Sequence, residues 1–464
     1  MRARLIVAAL ALLAGCGEAA AAKGGASEPV AVPVVARPVL QAMVTAPASP
    51  AASSSAPATS PPPSTSSAPA VGHLDGWTNL DHLFESLAAI DDGHGHDDVR
   101  AVWFGDSHTA ADVVTATTRH ILQGRFGDGG RGFVSLGRPW KTYYAEGVHG
   151  FMFDFEPAKT RVKDGRHVGD GCYGLLGVSI ETSHGGARAW SDVTTATSHV
   201  EISYLQQPQG GSFDVLVDGA KAGRVATQGA RASSGFYGLD LTDAPHQIAV
   251  QTLGDGEVRI FGMVLDRPRA GVVVDELGIN GAQAATLLHE SEEHFSEQLR
   301  HRAPDVVILA YGTNEALEAN LTDAEYERRL VDLLGRVERA APSTSCLLVG
   351  PPDLARRASR REDWKTWPRL LEIVALQRRV AQAAKCAFFD QLEAMGGPGS
   401  MATWASEFGD SRGSPDRVHL RKSGYVQVGT SFASDLMRAY DEWRAVRGLP
   451  PTGAPATWTA GAHQ

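Results

Sequence analysis

The chain has 464 residues, more than one compact core of ordinary size holds, so two folded domains plus unfolded segments is the first estimate. Its formal net charge is -10, with 43 Lys and Arg against 53 Asp and Glu. That balance argues against nucleic acid, and against an anionic membrane surface, as the main partner.

Arg2 and Arg4 precede an apolar stretch, Leu5 to Ala14, too short to span a bilayer as a helix but suited to a secretory signal. It ends in Leu13-Ala14-Gly15-Cys16, which resembles the lipobox of bacterial lipoproteins. Residues 1–16 are therefore expected to be a lipoprotein signal peptide, with Cys16 carrying the lipid. Such chains anchor a protein without a spanning helix, each buried methylene adding roughly 0.8 kcal/mol. Gly17 stands where an Asp retains many lipoproteins at the inner membrane, which favours the outer membrane, facing the periplasm or the cell surface. Residues 17–73 are rich in Ala, Pro, Ser and Thr and read as a disordered, extended tether.

Val99 to Phe104 is an apolar run ending at Gly-Asp-Ser, a buried strand feeding a loop, and Ala110 to Gln123 reads as a helix. From Ala145 to Pro268 short alternating runs with Gly- and Asp-rich turns predict an all-β domain, a sandwich. Strand and helix then alternate. Strands are expected at Val272–Leu277, Asp305–Ala310, Cys346–Val349 and Cys386–Asp390. Helices are expected from Ala282, over Asp323–Ala340, near Leu370–Ala384 and over Lys422–Ala445. This rhythm predicts a parallel sheet covered on both faces. The α/β domain then comprises residues 74–144 and 269–447, the β domain is an insertion at 145–268, and 448–464 is a disordered tail. Cys346 and Cys386 each begin one of two successive strands. If those strands are neighbours, the pair is a disulfide or two buried thiols.

Gly105-Asp106-Ser107-His108 follows the first strand, at the end where parallel sheets place their sites. Ser107 there is a candidate nucleophile and needs a base. His419 lies just before the last helix, with Asp416 three residues earlier to accept its other ring N–H. Acyl transfer also needs oxyanion donors: the Ser107 amide, the Asn314 side chain after Tyr311-Gly312-Thr313, and the Gly281 amide after Leu277-Gly278-Ile279-Asn280. His94 and His96 read as a solvated loop. Trp103, Trp140 and Trp190 read as core residues before sugar-stacking ones.

These four blocks, in this order, resemble the SGNH/GDSL hydrolase superfamily. The resemblance covers Val99 to Arg447 apart from the insertion. It implies an α/β/α, flavodoxin-like fold with Ser107 as nucleophile and His419 as base. Asp416 orients the base; Ser107, Gly281 and Asn314 form the oxyanion hole. Two departures, His108 in place of Leu and Glu315 where Asp is common, are expected to alter the pocket. A β insertion between the first two blocks is similar to the peptidoglycan O-acetylesterases, whose insert resembles a carbohydrate-binding module. The resemblance implies an ester hydrolase without metal or organic cofactor, acting on an O-acylated glycan such as peptidoglycan or another polysaccharide. An O-acyltransferase, a lipase or thioesterase for longer chains, and an inactive wall-binding lipoprotein remain the alternatives.

Overall fold

The computed structural model describes residues 72–95, 97–159, 170–357, 359 and 361–451. Cys16, the tether up to residue 71, His96 and the tail from residue 452 lie outside them.

In chain order, β1 (Leu74–Asp75) and α1 (Asp81–Asp91) precede β2 (Asp98–Gly105) and α2 (Val114–Phe126). Nine strands follow: β3 (Gly130–Val134), β4 (Val148–Phe153), β5 (Glu156–Lys159), β6 (Val178–Thr182), β7 (Arg188–Gln206), β8 (Ser212–Val217), β9 (Ala220–Ala226), β10 (Ser233–Thr252) and β11 (Val258–Asp266). Then come β12 (Gly271–Gly278), α3 (Glu292–Arg302), β13 (Val306–Ala310), α4 (Thr313–Leu317), α5 (Asp323–Ala340) and β14 (Ser345–Val349). A short ribbon, β15 (Ala355–Arg356) with β16 (Lys365–Thr366), is followed by α6 (Pro368–Ala383), β17 (Ala387–Phe389), α7 (Gln391–Ala394), α8 (Ser400–Trp404) and α9 (Lys422–Val446).

Five parallel strands lie in the order β12-β2-β13-β14-β17, with β1 antiparallel on the outer edge. Ranked by position in the chain, the parallel order is that of flavodoxin-like sheets. Alternation along β2 separates two cores. Val102 and Phe104 join Phe295 of α3, Leu330 of α5 and Ile373 of α6, whereas Ala101 and Trp103 join Phe84 of α1, Leu122 of α2 and Phe432 of α9. Both faces of the sheet are thus covered, which is why its strands read as continuous apolar runs. Trp103 is buried against Phe432, ring centroids 4.8 Å apart, and is a core residue.

The β insertion is one continuous nine-stranded sheet. Its long strands β7 and β10 pair along both halves, with register shifts between Asp240 and His246. The two halves share one core, in which Val193 and Ile248 meet Ile202, Ile260 and Met263. The sheet starts earlier than the expected boundary at 145, because β3 pairs with Met263–Asp266 of β11. Its sequence, Gly-Arg-Gly-Phe-Val, is buried at every position and lacks the alternation that marks a strand.

Two helix starts also differ from expectation. α2 begins at Val114 instead of Ala110, because Asp112 adopts a left-handed conformation (φ 45°) and turns its carboxylate to Arg131 and to the Glu146 amide. Residues Ala284–His289 form a 3-10 turn before α3 begins at its Ser291 cap. β14 and β17 are neighbours, and Cys346 and Cys386 are joined in a disulfide with their Cα atoms 4.7 Å apart. Among the described residues no helix is long and apolar enough to cross a membrane, and no cluster of His, Cys, Asp and Glu is arranged to hold a metal.

Candidate active site

Three strands end level with one another. Gly105 of β2 pairs with Gly278 of β12 on one side and with Ala310 of β13 on the other. The loops carrying Ser107, Gly281 and Asn314 therefore leave the sheet side by side, at the point where the strand order reverses. The first two loops touch: the Ile279 amide donates to the Gly105 carbonyl (3.0 Å), and a Cβ on Gly278 would meet the Ala110 nitrogen at 2.2 Å. Only glycine permits that approach.

Ser107 Oγ lies 2.9 Å from His419 Nε2. His419 Nδ1 lies 2.7 Å from Asp416 Oδ2. The other carboxylate oxygen of Asp416 accepts the amides of Val418 and His419, both at 3.0 Å, so the carboxylate shapes its own turn. That turn is closed by the Ser414 amide donating to the His419 carbonyl and is held to β15 by the Ala355 amide donating to Arg417. Partial burial pushes the Asp416 carboxyl up, but His419 and the two amides outweigh it and leave the group below its usual range. Asp416 stays ionised, and the proton belongs on His419 Nδ1, leaving Nε2 free to accept from Ser107. The pair is open to water, with side-chain exposures of 42% for His419 and 49% for Asp416.

The Asn314 side-chain amide donates to the Ala282 carbonyl at 2.8 Å and approaches Asp106 Oδ2 at 3.4 Å. Gly281, next to that carbonyl, has a left-handed φ of 74°. The structure thus brings together all five residues that the sequence singled out for chemistry. It also gives roles the sequence did not suggest. Asp106 is buried; its carboxylate accepts the His108 amide at 2.9 Å and faces Asn314, fixing both neighbours of the nucleophile. Burial raises its pKa to about 6. Its place directly before Ser107 is the only signal the sequence offered.

Of the two departures, one reaches the site. The His108 ring lies against His419 and bonds to the Tyr425 hydroxyl at 3.1 Å. Glu315 does not line the pocket. It is fully buried and accepts the amides of Gly312 (3.0 Å) and Ala284 (2.8 Å), tying the Asn314 turn to the segment after Gly281. The insertion also reaches the rim: Asn280 Nδ2 donates to Thr142 Oγ1 at 3.2 Å, and Trp140 and Tyr143 of the same loop pack on the α/β core. Trp190 lies elsewhere on the insertion, stacked on Phe151 with centroids 5.3 Å apart.

Such an arrangement offers a hydroxyl with a base behind it and polar donors beside it, the requirements of acyl transfer through a serine. The comparisons agree. Residues 240–426 match the GDSL-like Lipase/Acylhydrolase family. The matched segment contains Gly281, Asn314, Asp416 and His419 but begins beyond Ser107, which the insertion separates from it in sequence. Fold, site and family match together make the chain a carboxylic ester hydrolase whose residues 240–426 are similar to the GDSL-like lipase/acylhydrolase family. Within that class it is similar to a solved peptidoglycan O-acetylesterase, at 25% identity and a TM-score of 0.68, over 80% of this chain and 100% of that one. A family two carbohydrate esterase from Clostridium thermocellum (12% identity, TM-score 0.28, 59% of this chain and 95% of that one) and an acetyl xylan esterase (17%, 0.27, 35% and 79%) are too distant in shape to bear on this one. No curated protein matches the chain.

Proposed function

We propose that the chain is a serine esterase that removes small acyl groups, acetyl above all, from a carbohydrate such as cell-wall peptidoglycan. The observation that carries this reading is the line Ser107 Oγ, His419 Nε2, His419 Nδ1, Asp416, with contacts of 2.9 and 2.7 Å. Ser107 Oγ attacks the ester carbonyl while His419 takes its proton. The oxyanion is held by the Ser107 and Gly281 amides and the Asn314 side chain. Collapse of the tetrahedral intermediate expels the sugar alkoxide, which receives the proton from His419. Water, deprotonated by the same imidazole, then attacks the acyl-Ser107 ester and releases the carboxylic acid and free serine. The glycan part of the reading rests on the similarity to the peptidoglycan O-acetylesterase.

The test is hydrolysis of p-nitrophenyl acetate, butyrate and octanoate, followed by acetate release from O-acetylated peptidoglycan. Turnover that falls steeply with chain length, with acetate release from the wall polymer, supports the reading. Faster turnover of octanoate overturns it in favour of a lipase. As part of the same proposal, Cys16 carries the lipid that anchors the enzyme outside the inner membrane. Incorporation of labelled palmitate, lost in Cys16→Ala, tests that point.

A further inference from the structure

A groove of about 1080 Å³ starts at Gly281 and runs between the 3-10 turn Ala284–His289 and α5. Its floor holds an oddity. Gly335 sits in the middle of α5, where glycine weakens a helix relative to alanine. Packing does not demand it: apart from the helix's own backbone, the nearest atom a Cβ would meet is Arg339 Nη1 at 3.1 Å, the end of a flexible side chain. The space a side chain would take is the groove itself. One turn earlier on the same face, Val331 leaves 54% of its surface exposed, and Leu288 lines the opposite side.

The rims carry paired charges, and Arg336 between them is bonded to the backbone carbonyls of Leu287 and Glu290. Arg328 pairs with Asp332 at 2.7 Å, and Arg339 with Glu292 at 2.6 Å. Each rim therefore presents donors and acceptors together. A chain of hydroxyls, each able to donate and accept, fits both rims. The C–H faces of sugar rings suit the apolar side chains of Val331 and Leu288. The stretch Arg328–Arg339 spans about 16 Å at 1.5 Å per residue, which suits a strand better than one acylated sugar.

We propose that this groove is the subsite for the polymer beyond the scissile acyl group: an extended, hydroxyl-rich glycan strand lies over Val331, Gly335 and Leu288 and delivers its ester at Gly281. The inference rests on the glycan-esterase reading above. It is tested in the full chain with Gly335→Leu, which fills the floor, and Arg339→Ala, which opens one rim without adding bulk. Both should hydrolyse p-nitrophenyl acetate within about twofold of the unaltered enzyme and melt at no lower temperature than about that of the parent. On O-acetylated peptidoglycan Gly335→Leu should lose at least tenfold in kcat/KM, mainly through KM. A Ser107→Ala protein should be retained on O-acetylated sacculi and released when Gly335→Leu is added. Unchanged polymer turnover and retention in both groove variants would overturn the groove and leave the esterase standing. A parent enzyme that cleaves p-nitrophenyl acetate yet neither binds nor deacylates the polymer overturns the glycan reading itself, and the groove with it.

Discussion

The imidazole of His108 lies against that of His419, ring centroids 5.3 Å apart and planes tilted by 33°. Burial, and then the neighbouring His419 charge, pull the His108 pKa down to about 3. His108 therefore stays neutral beside an imidazole that must become an imidazolium. The unfolded chain binds a proton at His108 below about pH 6.5 that the folded chain refuses until about pH 3. Stability from this site is thus lost as pH falls through that window, by about 2 kcal/mol at pH 5. Asp106 acts in the opposite sense: with its pKa raised to about 6, it contributes stability below the unfolded value of 3.8 that is lost as pH rises to 6. In His108→Leu only the Asp106 contribution remains. Urea melts at pH 7 and pH 5 should show the variant gaining on the parent by about 2 kcal/mol at the lower pH. An unchanged difference would mean that His108 titrates normally.

Ser107→Ala should lower turnover of p-nitrophenyl acetate by at least about a thousandfold, since neither base nor oxyanion donors can substitute for the nucleophile. The melting temperature should stay within a few degrees of the parent's, because the hydroxyl sits at a loop rim and not in either core.

Asp416→Asn should be milder than the roughly ten-thousandfold loss seen when a buried triad Asp is neutralised. Asp416 is half exposed, and water can take over part of its role at Nδ1. A loss nearer a hundredfold in kcat, with the acidic limb of the pH profile displaced, is the expected result from stopped-flow assays.

Asn314→Ala removes one oxyanion donor and should cost about a hundred- to a thousandfold in kcat with little change in KM. The same substitution frees the Ala282 carbonyl and Asp106. Asp106→Asn should therefore reproduce part of the loss without touching substrate, a split that steady-state kinetics on both variants will show.

Cys346 and Cys386 close a loop with a sequence separation of 40. Chain entropy puts the stabilisation from such a loop at about 4 kcal/mol. Cys346→Ser, or reduction, should lower the urea midpoint accordingly, and thiol titration of the unfolded, non-reduced protein should find no free thiol beyond Cys172.

Much of the site was legible because its parts are short, ordered blocks: Ser107 and Asn314 each follow an apolar run of strand length, and the Asp416–His419 turn directly precedes the last long helix. The central sheet was equally readable, since buried parallel strands leave continuous apolar stretches. β3 was not, because a glycine-rich strand wedged between β11 and β12 carries no alternation. Glu315 was misplaced for a related reason. Its sequence position beside Asn314 suggests the pocket, whereas one residue further round a helix start turns the side chain inward to cap two amides. Such outcomes depend on which face a residue presents, and that is settled by packing.

The insertion between the nucleophile and its partners leaves Ser107 and His419 separated by 312 positions in the chain. α9, which follows His419 directly, packs on α2, which follows Ser107; Gly429 meets Thr117 there at 2.9 Å from where a Cβ would stand. Assembly of the catalytic pair therefore waits on the last helix. A nascent chain, however much of its β sheet has formed, has a serine without a base. A chain that still lacks its C-terminal residues is inert, and it becomes competent only when the C-terminal helix docks beside the first one after the nucleophile.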